Sequence, residues 1–182
     1  MIAVNAEKRD KQFSPLSSVY DWVEAAIISL IAVVLFFTLL FRTVGVVGPS
    51  MQTTLYTGDR LLLTNLFYEP QRGDIVVIDR YTQEPLIKRV VAVGGDTIEV
   101  DAATGEVYLN GKLLDEPYLR VKTPATALTG PVDVPDGYIF VMGDNRVDAT
   151  DSRMTEIGLI DVRSVLGKAV FRLWPLQKFG IL

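Results

Sequence analysis

Two residues, a serine and a lysine, have the type and setting to do chemistry. Ser50 lies in Gly48-Pro49-Ser50-Met51-Gln52-Thr53-Thr54-Leu55, a Gly-Pro turn a few residues beyond a long apolar run. The chain contains no histidine and no cysteine. A Ser-His-Asp triad, a thiolate nucleophile and a His- or Cys-ligated zinc are therefore unavailable. A serine in a tight turn is more often a turn residue than a nucleophile. If Ser50 is a nucleophile, its general base is a lysine or a carboxylate.

Lys88 is the candidate base. It sits inside Leu86-Ile87-Lys88-Arg89-Val90-Val91-Ala92-Val93, which reads as a strand. A strand lysine usually belongs to the solvated face, but Lys88 and Arg89 are adjacent and must point to opposite faces. By parity Lys88 shares its face with Leu86, Val90 and Ala92, an apolar set, so Lys88 is the one the pattern buries. Burial is what a lysine base needs. An exposed lysine, with a pKa of about 10.4, is protonated at neutral pH, whereas desolvation disfavours the charged form.

These residues need elements to hold them. From residue 25 to 41 there are seventeen residues without a charge, and only Ser29 and Thr38 are polar. With the residues from Val19 included, the run has the length of a bilayer-crossing helix of ~20 residues. Tyr20 and Trp22 fall where interfacial aromatics belong. Lys8, Arg9 and Lys11 precede the run and only Arg42 closely follows it, which predicts a cytoplasmic amino terminus. A cleavable signal peptide would have a shorter apolar region and an A-x-A-like site, and Phe41-Arg42-Thr43-Val44-Gly45 does not offer one. A core helix would show a polar face, and none is visible. The segment is expected to be an uncleaved anchor.

Beyond Arg42 the pattern becomes short β-rich runs bounded by turn residues. Strands are expected at 44–47, 60–64, 75–78, 86–93, 97–100, 106–109, 112–114, 138–142 and 167–174. Asn110-Gly111 predicts a two-residue hairpin turn because both positions tolerate positive φ. Residues 123–135 hold three prolines and read as a loop. No long amphipathic helix separates the strands. The expected fold class is mainly β: an antiparallel β-sheet or barrel domain preceded by one transmembrane helix. The expected organisation is a cytoplasmic segment at 1–18, an anchor at 19–42 and an extracytoplasmic β-rich catalytic domain at 43–182, with a hairpin-and-loop insertion at about 103–134.

Composition narrows the partners. The 182 residues are 49% hydrophobic and 22% charged, with a net charge of -4. That balance suits a membrane-associated globular protein and argues against a nucleic-acid surface, which needs clustered Lys and Arg. No cofactor and no metal are expected.

Several motifs occur in one order: Gly48-Pro49-Ser50-Met51 near the anchor, Arg72-Gly73-Asp74-Ile75-Val76, Ile87-Lys88-Arg89-Val90-Val91-Ala92-Val93-Gly94-Gly95-Asp96, and Gly143-Asp144-Asn145-Arg146 followed by Asp151-Ser152-Arg153. Gly167-Lys168-Ala169 and Trp174-Pro175 close the series. Together they resemble the ordered boxes of type I bacterial signal peptidases, from the anchor to Trp174. The resemblance implies Ser50 as nucleophile, Lys88 as its base, and Asp151, Arg153 and Asp144 as supporting residues. It also implies a preference for small residues at the first and third positions before the cleaved bond. The walls of those pockets are expected from Val46, Val47, Gly48, Pro49, Met51 and Ile87, with substrate docking as an added strand.

The chain departs from the family pattern at three places. Thr53 replaces a proline after the serine. Ala149 replaces a serine whose hydroxyl bonds the catalytic lysine in some members, leaving Thr150 or a water for that task. Gly48 replaces a serine that joins the oxyanion hole in some members, leaving the Ser50 N–H as the main donor. The resemblance thus implies a single-pass plasma-membrane serine endopeptidase that acts on signal-peptide-bearing preproteins at the bilayer surface. The alternatives are a catalytically weak member acting as an accessory or binding protein in export or pilus assembly, and a self-cleaving repressor-type regulator. The second needs a DNA-binding region, and the membrane anchor with an acidic outer domain argues against it.

Overall fold

The computed structural model describes residues 15–80, 84–124 and 130–182. Lys8, Arg9 and Lys11, on which the expected orientation rests, lie outside the described residues, as do residues 125–129 of the expected loop. The chain divides into two units, Met1–Leu39 and Leu40–Leu182.

The first unit contains α1, Pro15–Leu40. Proline at the first helical position has its φ preset for a helix and lacks only an N–H that would have had no helical partner. The side chains from Val19 to Thr38 are exposed, and this stretch of 20 residues is long and apolar enough to cross a membrane. A core helix buries its apolar side chains, whereas those of α1 are exposed. The helix stops at Leu40, two residues before the expected end at Arg42. Residues 41–45 are taken instead into a strand ladder with 60–64, starting at Phe41 opposite Thr64.

The second unit is antiparallel β throughout. The strands are β1 (Phe41–Gly45), β2 (Arg60–Thr64), β3 (Ile75–Ile78), β4 (Leu86–Val93), β5 (Thr97–Val100), β6 (Val107–Leu109), β7 (Lys112–Leu113), β8 (Val132–Asp133), β9 (Tyr138–Met142), β10 (Ile160–Asp161), β11 (Val165–Trp174) and β12 (Gly180–Ile181). The larger sheet runs β1-β2-β11-β3-β4-β9-β10, with β12 on β11, and the smaller runs β7-β6-β5-β8. The order of the larger sheet is linear, with β1 and β10 at its ends.

Five expected strands, β2, β3, β4, β5 and β9, have the expected bounds. The strand expected at 44–47 is shifted: β1 ends at Gly45 and leaves Val46 and Val47 outside it. The last long strand begins at Val165, not 167. Three two-residue strands, β8, β10 and β12, were not expected, and β8 falls within the region read as loop. Pairs this short carry no alternation, so only their partners define them. The hairpin at Asn110-Gly111 is as expected, with φ of 53° and 74°.

β4 lies inside the larger sheet between β3 and β9. Ile87, Lys88, Val90, Val91 and Ala92 are all buried along it, so both of its faces are covered. Leu86 and Val90 pack in one apolar cluster. Ala92 does not follow the expected parity. A register shift between Val90 and Ala92 accompanies the change, and Ala92 packs with Val91 in another cluster. A further cluster joins Val46, Met51, Leu55, Leu61, Val77 and Ile87. Burying each such side chain contributes roughly 1.5–3 kcal/mol, and this cluster seats the Ser50 turn against β3 and β4.

Candidate active site

Ser50 is placed by its two flanks. Upstream, Val46 donates from its N–H to the Asp59 carbonyl at 2.9 Å and accepts from the Gly58 N–H at 3.0 Å. Gly48 then turns the chain at φ 91°, a conformation L side chains rarely adopt, and donates to Thr57 Oγ1 at 3.1 Å. Downstream, the Gln52 N–H donates to the Pro49 carbonyl at 3.0 Å, and Met51 and Leu55 are buried in the cluster. Ser50 itself is half-buried at the top of this turn.

Lys88 is 2% exposed in the middle of β4, opposite Val76 of β3. Its Nζ donates to Ser50 Oγ at 2.8 Å and to the Ile87 carbonyl at 3.0 Å. Burial pushes its pKa down to about 8; the Asp151 and Asp144 carboxylates oppose that shift, and the Arg153 and Arg80 guanidinium groups add to it. A buried, weakly basic amine in contact with a serine hydroxyl can take that hydroxyl's proton near neutral pH. Among the described residues the Ser50 N–H has no hydrogen-bond partner, which leaves it available to a developing oxyanion.

The loop after β9 supports this pair. Asp151 is fully buried and carries a two-pronged ion pair with Arg153, whose Nε and Nη2 each donate to it at 2.8 Å. The same carboxylate accepts from the Gly143 N–H at 2.9 Å. Asp144 takes Arg89 Nε and Nη2 at 2.9 and 2.7 Å and accepts from Thr54 Oγ1. Arg89, next to Lys88 on β4, is thus held by Asp144.

Among the described residues no hydrogen bond joins Thr150 to Lys88. Thr150 is exposed, and the hydrogen bonds of Lys88 Nζ go to Ser50 and Ile87. The neighbouring Ala149 is buried, and its methyl lies against Gly143. A small side chain is what that contact admits.

Of the six expected wall residues, Val46, Met51 and Ile87 are buried in one cluster, Gly48 is half-buried, and Val47 and Pro49 are exposed. The sequence reading missed Val77, which pairs with Ile87 across β3–β4 and belongs to the same cluster; the pairing joins two separate strands and leaves no local signal. It also gave Gly143 and Asn145 no role. The Asn145 N–H donates to the Ser50 carbonyl at 3.0 Å, and its Nδ2 donates to the Pro49 carbonyl at 3.3 Å. A Cβ on Gly143 would stand 2.4 Å from the Ser50 carbonyl oxygen. These contacts join positions far apart in the chain, and nothing local in the sequence announces them.

Among the described residues, two backbone stretches beside Ser50 have no strand partner on one side. Val47 makes no hydrogen bond among the described residues. The β4–β9 ladder starts only at Arg89 opposite Met142, so 86–88 are unpaired on that side.

The sequence model described as "Signal peptidase, peptidase S26" matches residues 19–174. A signal peptidase I of Bacillus licheniformis is 37% identical over 181 residues, covering 93% of this chain and 96% of the relative. One from Bacillus amyloliquefaciens is 35% identical over 176 residues, covering 91% and 93%. A crystal structure of a signal peptidase I from Enterococcus faecalis V583 covers 57% of this chain and 98% of that one, with 29% identity and a TM-score of 0.47.

Proposed function

The chain belongs to the signal peptidase family, peptidase S26, and from that premise we propose a membrane-anchored endopeptidase that removes signal peptides from exported preproteins, with Ser50 as nucleophile and Lys88 as general base. The carrying observation is the 2.8 Å contact between Lys88 Nζ and Ser50 Oγ, made by a lysine that burial holds at a pKa of about 8.

Neutral Lys88 accepts the Ser50 proton as Oγ bonds to the scissile carbonyl carbon. The oxyanion takes the free Ser50 N–H. The Lys88 ammonium then protonates the leaving amine as the C–N bond breaks, leaving an ester on Ser50. Water attacks that ester while Lys88 takes its proton, and the proton returns to Oγ when the new carboxyl terminus leaves. Asp151 and Arg153 hold the Gly143 turn, and Asp144 holds Arg89.

The substrate lies extended between the unpaired Val47 peptide and the unpaired edge at 86–88, adding a strand. Its small side chains face the apolar cluster of Val46, Met51, Val77 and Ile87. The α1 helix is the bilayer anchor, its amino terminus on the cytoplasmic side, and Ser50 follows the helix end by ten residues, which suits cleavage at the membrane surface. The accessory-protein reading is not favoured, because the relatives that match nearly the whole chain are themselves named signal peptidase I.

The test is cleavage of a preprotein bearing Ala-x-Ala by the detergent-solubilised full chain, with Ser50→Ala and Lys88→Ala alongside. Wild-type cleavage and two inert variants are expected. An inert wild type sinks the peptidase reading. Near-full activity of Lys88→Ala at neutral pH sinks the dyad.

A further inference from the structure

The Pro49–Ser50 carbonyls are gripped by Asn145, and Asn145 is flanked by two residues held from elsewhere. On one side Arg146, whose side chain is fully buried, donates from Nη1 to Glu116 at 3.1 Å and from Nη2 to the other Glu116 oxygen. Nη1 also donates to Thr123 Oγ1 at 2.8 Å, and Nε donates to the Gly143 carbonyl at 3.1 Å. On the other side Asp144 holds Arg89, whose guanidinium lies 4.1 Å over the Tyr118 ring. The Tyr118 hydroxyl in turn donates to Glu116 at 2.7 Å.

Both arms therefore end on Glu116, in the segment between β7 and β8. From the convergence of these contacts, we infer that Glu116 is a positioning residue for the Ser50 turn, acting through Arg146 and through Tyr118 and Arg89. The inference rests on the reading of Ser50 as nucleophile. A buried guanidinium without its carboxylate is unstable where it stands, so loss of the Glu116 charge lets Arg146 move. Arg146 carries with it the Gly143 carbonyl and the Asn145 contacts to Pro49 and Ser50. Lys88 does not move with them, because it is fixed by β4. The Ser50–Lys88 alignment degrades while Lys88 keeps its place on β4.

The experiment uses the full chain in detergent with an Ala-x-Ala preprotein, following kcat and KM from about pH 6 to pH 10, with thermal unfolding in parallel. Glu116→Gln keeps the shape and removes the charge, and Tyr118→Leu removes the face beneath Arg89. The expected result for Glu116→Gln is a plateau kcat lower by roughly tenfold or more. KM should stay within about twofold, and the loss of kcat should persist at the alkaline plateau where Lys88 is neutral. Tyr118→Leu should lower kcat in the same pattern and by less. A wild-type plateau in folded Glu116→Gln overturns the inference, as does a loss that merely tracks the folded fraction or a shifted midpoint with a normal plateau. If Glu116→Gln does not fold, Thr123→Val, which removes one bond to the same guanidinium, is judged by the same criteria. Ser50→Ala separates the two levels. If it still cleaves, the nucleophile reading falls and this inference with it. If it is inert while Glu116→Gln is normal, only the positioning role fails.

Discussion

Lys88 Nζ lies 2.8 Å from Ser50 Oγ, and among the described residues no carboxylate forms an ion pair with that lysine. Its charge is therefore not neutralised by a direct partner. Asp151, the strongest influence favouring the ammonium, spends both oxygens on Arg153 and the Gly143 N–H instead. The amine is left buried and poorly compensated, the condition under which a lysine gives up its proton. Four of the five predictions below follow from this arrangement and its supports.

The first concerns activity against pH. With a proposed base of pKa about 8, kcat/KM should rise with pH and level off above a midpoint near that value, because only the neutral amine accepts the serine proton. The pH profile of preprotein cleavage measures this. A midpoint above about 10, the range of an exposed lysine, would contradict the burial argument.

The same shift has a cost in stability. The folded pKa is lowered from 10.5 to about 8, so between these values the unfolded chain holds more protons and this group's contribution to stability rises with pH. Below about 8 both states are protonated and the folded state carries the full penalty, on the order of 3 kcal/mol. Lys88→Met should thus stabilise the fold at neutral pH, with the gain shrinking as pH climbs toward 10.5. Denaturant unfolding of both proteins at two pH values checks it.

Asp151→Asn should move the activity midpoint below about 8, since the carboxylate favours the Lys88 ammonium and Arg153, left unpaired, disfavours it. It should also destabilise the fold by about 3–5 kcal/mol, the usual consequence of leaving one partner of a buried pair. A midpoint that stays put or rises would show that Asp151 acts on Lys88 in some other way.

Gly143→Ala tests the grip on the nucleophile turn. The new methyl would stand 2.4 Å from the Ser50 carbonyl oxygen and 2.6 Å from the Ala149 Cβ, and neither can retreat cheaply. The expected outcome is a kcat lower by about a hundredfold with a stability loss of about 1–3 kcal/mol. Kinetics and melting of the same preparation would show whether the two losses separate.

Thr150→Val should change little. The side chain is exposed, and Lys88 bonds to other groups, so kcat/KM should remain within about twofold, as for surface substitutions generally. A large loss would show that the threonine supports the lysine.

The reach of the sequence can be judged residue by residue. Ser50 and Lys88 were legible as candidates because the absence of histidine and cysteine removed the competing chemistries and strand alternation selected Lys88 over Arg89 for burial. The apolar helix and most long strands were legible for the same reason: periodicity and turn residues are local, and local patterns survive in one dimension. The bounds of β1 were not, because residues 41–45 are a strand only through β2. Nor was the change of partner at Ala92, which follows a register shift between two strands. The contacts of Asn145, Gly143 and Val77 were unreadable, since they depend on Ser50 and Ile87 being brought beside them by the sheet order. The chemistry was thus carried by residue types and local spacing. The distance between the serine and the lysine, the solvent-free setting of the amine and the grip on the nucleophile turn were decided only by long-range packing, which a linear pattern does not encode.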